Sequence, residues 1–124
     1  APGNFEKQTQ GNYILTERSV TARTADLALT HSNSFGVYTN GGAAGTVNFT
    51  LPTAAAGMEY EFYVLAAQTL QITAAAGDTI RIGANVTATA GNVTNNVIGG
   101  YLKIIALNAT EWASAAPVGT WTVT

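Results

Sequence analysis

The sequence predicts an all-β protein: one β-sandwich of jelly-roll type carrying an extended N-terminal arm. Three observations carry this. Apolar and polar residues alternate with period two in one short segment after another, and Gly, Asn, Asp or Pro stands between them. No 11-residue window holds an apolar stripe at spacings of three and four, so helices are minor at most. The 124 residues suffice for one core and are too few for two. The expected division is an arm over residues 1–18 and a sandwich over 19–124.

The elements follow in order. Ala1 to Asn12, APGNFEKQTQGN, has no period and one large apolar residue, Phe5. Tyr13 to Leu15, YIL, then adds apolar surface that is wasted in water, which predicts an ordered arm. SVTARTADLALT (Ser19–Thr30) changes phase at Ala25-Asp26 and is weak strand evidence. FGVYT (Phe35–Thr39) alternates, and Asn40-Gly41 predicts a turn because both residues tolerate positive φ. In TVNFTLP, Val47, Phe49 and Leu51 share a face, and Pro52 ends the pairing. MEYEFYVLA sets Met58, Tyr60, Phe62 and Val64 against Glu59, Glu61, Tyr63 and Leu65, with the glutamates predicted in water. Leu70 and Ile72 point inward next, then Ile80 and Ile82 with Arg81 outward. NVTAT and NVT are short threonine-rich strands suited to an edge. YLKIIAL (Tyr101–Leu107) reads as a central strand buried on both faces. Segments around Trp112 and Trp121 finish the chain.

TAAAG occurs at Thr53–Gly57 and at Thr73–Gly77, and TATAG at Thr87–Gly91. Alanine favours helix, but five residues are too few for one. Unequal separations argue against a solenoid repeat. Each copy stands between two period-two segments, so the expectation is a recurring tight connection whose glycine supplies positive φ.

Composition narrows the chemistry. Cysteine is absent, which removes disulfides, thiolate catalysis and thiolate metal sites. Net charge is −2, and five basic residues are scattered, so no nucleic-acid footprint is expected. No apolar run is long enough to span a membrane, and the polar opening Ala1–Gly11 predicts no signal peptide there. Only 10% of residues are charged while 47% are hydrophobic, which points to surface covered by other subunits. His31 is the single histidine, and Glu59 and Glu61 share an outward face without a cleft. GGAAGT lacks the lysine of a phosphate loop and precedes a strand. No catalytic residue, cofactor or metal site is therefore expected. Tyr38, Tyr63, Tyr101, Trp112 and Trp121 offer a possible sugar-stacking platform, so a glycan partner stays open.

The order YTNGGAAGTVNFTLP, AAAGMEYEFYV, LQITAAAGDTIRI, GGYLKIIALNATEW and GTW, from Thr39 to Trp121, resembles a small β-domain of tailed-bacteriophage virion proteins. The resemblance implies a β-sandwich or jelly roll, commonly a homotrimer, found in head decoration proteins, tail fibres and tailspikes, with no catalytic residues to carry over. One domain with an arm leaves no room for a fibre shaft. The expectation is a capsid decoration (cement) protein on the virion exterior, partnered by itself and by the major capsid protein, with Phe5, Tyr13 and Ile14 as arm anchors. The alternative is a tail-fibre or tailspike domain that binds a receptor glycan.

Overall fold

The computed structural model describes residues 17–124. Phe5, Tyr13 and Ile14 lie outside them. The strands are β1 (Val20–Ala22), β2 (Leu27–Ala28), β3 (Val37–Thr39), β4 (Val47–Thr50), β5 (Glu59–Tyr63), β6 (Leu70–Thr73), β7 (Thr79–Ile82), β8 (Asn85–Val86), β9 (Asn92–Asn95), β10 (Tyr101–Ala106), β11 (Glu111–Val118) and β12 (Thr122–Val123). The helical content among the described residues is a 3₁₀ turn at His31–Asn33. The all-β sandwich expected from the alternation is the fold observed. A seven-stranded sheet, β1-β3-β5-β10-β11-β7-β8, faces a five-stranded sheet, β12-β9-β6-β4-β2.

From β1 to β6 the chain alternates between the two sheets. β1, β3 and β5 pair in parallel on one side, and β2, β4 and β6 in parallel on the other. This half therefore winds as a short flattened coil. Leu27 lies beside Phe49, and Phe49 beside Ile72. The coils have unequal lengths, since Val20 meets Val37 while Val37 meets Glu61. That inequality is why the winding leaves no fixed period in the sequence. The β10–β11 hairpin then inserts between β5 and β7.

The predicted inward faces fill the core. Val47, Phe49, Tyr60, Phe62, Val64, Leu70, Ile72, Ile80, Leu102, Ile104 and Trp112 are fully buried. Their rings meet tilted, with centroids 5.3 Å apart for Phe49 and Phe62 and 5.7 Å for Tyr60 and Trp112. β10 is central as expected but is not buried on both faces. Leu102, Ile104 and Ala106 are buried, whereas Tyr101, Lys103 and Ile105 are half-buried because side chains and not a second layer cover them. β8 is an edge strand, while β9 is flanked on both sides by β6 and β12.

The three pentamers are joints between the sheets, stacked at one end of the sandwich. The Ala54 N–H donates to the Asp78 carboxylate just after the second copy (2.9 Å). The Ala74 N–H donates to the Gly91 carbonyl in the third (2.9 Å). Asp78 is 2% exposed, so it is a clamp between joints and not ordinary turn chemistry. The first two copies make the same turn, Met58 N–H to Ala55 O and Asp78 N–H to Ala75 O, with Gly57 at φ +94° and Gly77 at φ +85°. The third differs from expectation. Its left-handed residue is Ala90 (φ +57°), and Gly91 is required for space. A Cβ there would collide with the Thr124 carbonyl and stand 2.7 Å from the Ala88 carbonyl.

This predicts unequal costs for one substitution. Gly57→Ala and Gly77→Ala, with open space around them, should each cost about 1–2 kcal/mol from left-handed strain. Gly91→Ala should cost about 3 kcal/mol or more, because backbone must move. Urea denaturation of the three variants checks the order.

Asn40 also differs from its expected role. It is fully buried, and the positive φ in this turn belongs to Gly42 (φ +83°). The Asn40 side chain instead bonds four backbone groups of Leu65, Ala66 and Gln68.

Candidate functional site

The end of the sandwich that carries the joints is built from Thr30–Gly36, the three pentamers and Leu107–Thr110. β2, β4 and β6 end there, and β3, β5, β7, β9 and β11 begin there. Ala56, Gly57, Ala76, Gly77, Ala88–Ala90 and Leu107–Thr110 are exposed. None of these loops exposes a Lys, Arg, Asp or Glu side chain, since Asp78 is buried. The surface is small, neutral and low, and two large apolar side chains stand on it. Leu107 is 54% and Phe35 59% exposed.

Phe35 is held by contacts distant in sequence. The 3₁₀ turn is fixed by Thr30, whose N–H donates to Asn33 Oδ1 (2.9 Å) and whose carbonyl accepts from the Tyr60 hydroxyl (2.7 Å). His31 Nε2 lies 3.2 Å from the Thr53 carbonyl and ties this turn to the first joint. Phe35 follows at φ +70°, a left-handed conformation that is rare for a bulky side chain. Its N–H donates to the Glu59 carbonyl (2.6 Å). Its carbonyl accepts from Arg18 Nε (2.9 Å) and Nη2 (2.5 Å). A Cβ on Gly36 would stand 2.8 Å from the Tyr38 hydroxyl oxygen and 3.0 Å from the Asn33 carbonyl, so a larger residue would force the Tyr38 ring to shift. Beside the ring opens a cleft of about 310 Å³, walled by Arg18, Ser32, Asn33, Ser34 and Gly36 among others.

Arg18 is fixed in turn. Its Nη1 donates to Glu61, whose other oxygen accepts from the Tyr101 hydroxyl (2.7 Å). The Tyr101 ring packs on Tyr63 with centroids 4.8 Å apart. Glu61 was expected in water, yet it is only 9% exposed. Burial pushes its carboxyl up, but the hydrogen bonds from Arg18 and Tyr101 and the charges of Arg18 and Lys103 outweigh that and hold it below the usual range. Burial and the Glu61 hydrogen bond both push the Tyr101 hydroxyl up. Burial, aided by Tyr38, pushes Tyr60 up to about 12.

Stability should therefore fall at both pH extremes. The depressed Glu61 stabilises fully above its unfolded value, and this is lost as pH falls through the lower folded value. The raised Tyr60 stabilises fully below the usual 10.0, and this is lost as pH rises towards about 12. Thermal unfolding against pH should show both limbs. Glu61→Gln should flatten the acid limb and also reduce the Tyr101 share of the alkaline limb, while the Tyr60 share, which does not depend on Glu61, is kept.

Charge is segregated on the molecule. Arg18–Glu61, Lys103–Glu59 (3.3 Å) and Arg81–Glu111 (2.9 Å) all lie on the outer face of the seven-stranded sheet. On the five-stranded sheet β4, β6, β9 and β12 carry no charged residue, and charge stands at the β2 edge, where Asp26 Oδ1 accepts from the Asn48 N–H (2.8 Å). Asn48, Gln71, Thr94 and Thr122 form one row across the outer face of this sheet, and Thr50, Thr73 and Asn92 a second. Thr73 donates to Asn48 Oδ1 (2.6 Å), and Asn48 Nδ2 donates to Thr50 Oγ1 (3.1 Å).

Of the aromatic residues considered for sugar stacking, Tyr38, Trp112 and Trp121 are buried, Tyr101 is half-buried against Tyr63, and only Tyr63 is exposed. The structure thus breaks up that platform. Glu59 and Glu61 are engaged in ion pairs, and His31 bonds a carbonyl. Among the described residues no group of three His, Cys, Asp or Glu side chains converges for a metal. Phe35 is the residue that sequence reasoning missed as a surface feature. FGVYT alternates like a strand, and no local signal reveals a left-handed phenylalanine. Comparison with protein-family models and with curated protein sequences finds no match for this chain.

Proposed function

We propose that this chain is a structural protein of a tailed-phage virion, a decoration protein that cements the outer surface of the capsid. The observation that carries the reading is the neutral joint end, where alanine and glycine loops lie low and expose no charged side chain. Docking the alanine and glycine joints desolvates no ion, so burial of their apolar area is not offset by the cost of stripping charges. Charge meets this end only at its rim, where Glu17 and Arg18 line the cleft beside Phe35. The salt-bridged face of the seven-stranded sheet stays in water, where its partly covered carboxylates keep the basic partners they already have. The neutral rows of the five-stranded sheet suit contact with further copies, and the proposed assembly is a homotrimer. Three linked attachments raise the affinity for the shell by avidity. In this reading Phe5, Tyr13 and Ile14 add arm contacts to the major capsid protein.

Ala76→Glu tests the docking end. Ala76 is exposed and lies in a joint, so the fold should be kept. Attachment to shells lacking the protein should weaken by about 100-fold, because an unpaired carboxylate would be buried at the contact. Cosedimentation with such shells at wild-type strength would count against this surface.

A further inference from the structure

We propose that Phe35 is the anchor of the docking end, a rigidly presented knob that inserts into an apolar pocket on the shell protein. This rests on the decoration role proposed above and names the residue and the partner chemistry that serve it.

The argument starts from strain. A phenylalanine at φ +70° is unfavourable, and such conformations persist where surrounding structure over-determines them. Here a strained aromatic that filled the core would need no further explanation. Phe35 does not fill it, because its residue is 59% exposed. The fold nonetheless clamps the backbone from two sides, through the Glu59 carbonyl and through Arg18. Arg18 is itself set by Glu61, and Glu61 by Tyr101. A chain of contacts across β10, β5 and the segment ahead of β1 thus ends by holding one apolar ring out in solvent. A rigid aromatic beside an arginine, on a low neutral surface, is the composition of an interface hot spot.

A protein pocket fits this ring better than a sugar does. The neighbouring hydroxyls are already engaged, Ser32 with Thr30 Oγ1 (2.9 Å) and Ser34 with the Glu59 N–H (3.1 Å). Asn33 Oδ1 is taken by Thr30. Glu17 and Ser19 also line the cleft, so the case against a sugar rests on the ring itself. Phenylalanine has no polar tip to satisfy, so it can be buried whole. The cleft beside it leaves room for a side chain of the partner to pack against the ring's flank.

The test uses the full chain, with Phe35→Gly and Phe35→Asn, and empty shells of the particle prepared without the protein. Both replacements accept a left-handed backbone. The expected result is opposite movement of two readouts. Melting temperature holds or rises, by up to about 5 °C for Phe35→Gly, while shell binding weakens by at least about 30-fold for both variants. Variants that bind as tightly as wild type overturn the anchor and leave the docking role standing. Wild type that fails to bind shells overturns the docking role and the anchor with it. A large fall in melting temperature for both variants overturns the anchor by making the ring a support of the fold. A glycan-array signal that both variants lose, with shell binding intact, overturns it in favour of a saccharide.

Discussion

Asn40→Ala should cost about 4 kcal/mol of folding stability, among the largest effects of any single substitution here. The residue is fully buried. Its Nδ2 donates to the Ala66 carbonyl (3.3 Å) and the Gln68 carbonyl (3.0 Å). Its Oδ1 accepts from the Leu65 N–H (2.8 Å) and the Ala66 N–H (3.0 Å). One side chain thus serves the backbone of the whole connection between β5 and β6, and ties it to the end of β3. Each hydrogen bond is worth about 1 kcal/mol net, but a buried group left unpaired costs about 1–3 kcal/mol. Alanine leaves four such groups, some within reach of water, which sets the estimate below the simple sum. Asn40→Asp should also destabilise strongly, because it keeps the acceptors, loses both donated bonds and introduces a buried charge. Urea denaturation at unchanged m-value checks both. A loss under about 1 kcal/mol for the alanine variant would mean that the 65–68 connection holds its own shape.

Trp112 carries the second large effect. It is fully buried on β11 and packs against Tyr60. Trp112→Ala should cost about 4 kcal/mol, from lost transfer energy and the cavity left behind. Trp112→Phe should cost only about 1–2 kcal/mol. The indole Nε1 has no hydrogen-bond partner among the described residues, so phenylalanine removes volume without orphaning an acceptor. Equal losses for the two variants would show that the indole N–H matters more than this geometry allows.

The faces of the strands were legible in the sequence because alternation states which side of a strand is buried. Met58, Tyr60, Phe62 and Val64 were placed inward on that ground, and all are buried. Alternation does not state which strand lies next door. The parallel coil of β1 to β6 was therefore invisible, as was the insertion of the β10–β11 hairpin. Local chemistry located the turns but did not assign their parts. Asn40-Gly41 marked a real turn, yet Gly42 takes the unusual φ and Asn40 works through its side chain. Gly57 and Gly77 act as expected, while Gly91 is small because the strand end at Thr124 passes close by. Glu61 looked solvated because its partners, Arg18 and Tyr101, are far away in sequence. Phe35 was hidden for the same reason, since its conformation is imposed by Glu59 and Arg18. The neutrality of the joint end could be sensed from TAAAG but not assembled, because its loops come together only in the fold.

Cryo-electron microscopy of shells decorated with the wild-type protein tests the central claim most directly. The predicted image has the three stacked joints and the Phe35 loop against the shell, with Arg18 at the rim of that contact and the salt bridges Lys103–Glu59 and Arg81–Glu111 facing solvent. A particle in which the joint end points away from the shell, or in which the salt-bridged face forms the contact, would contradict it.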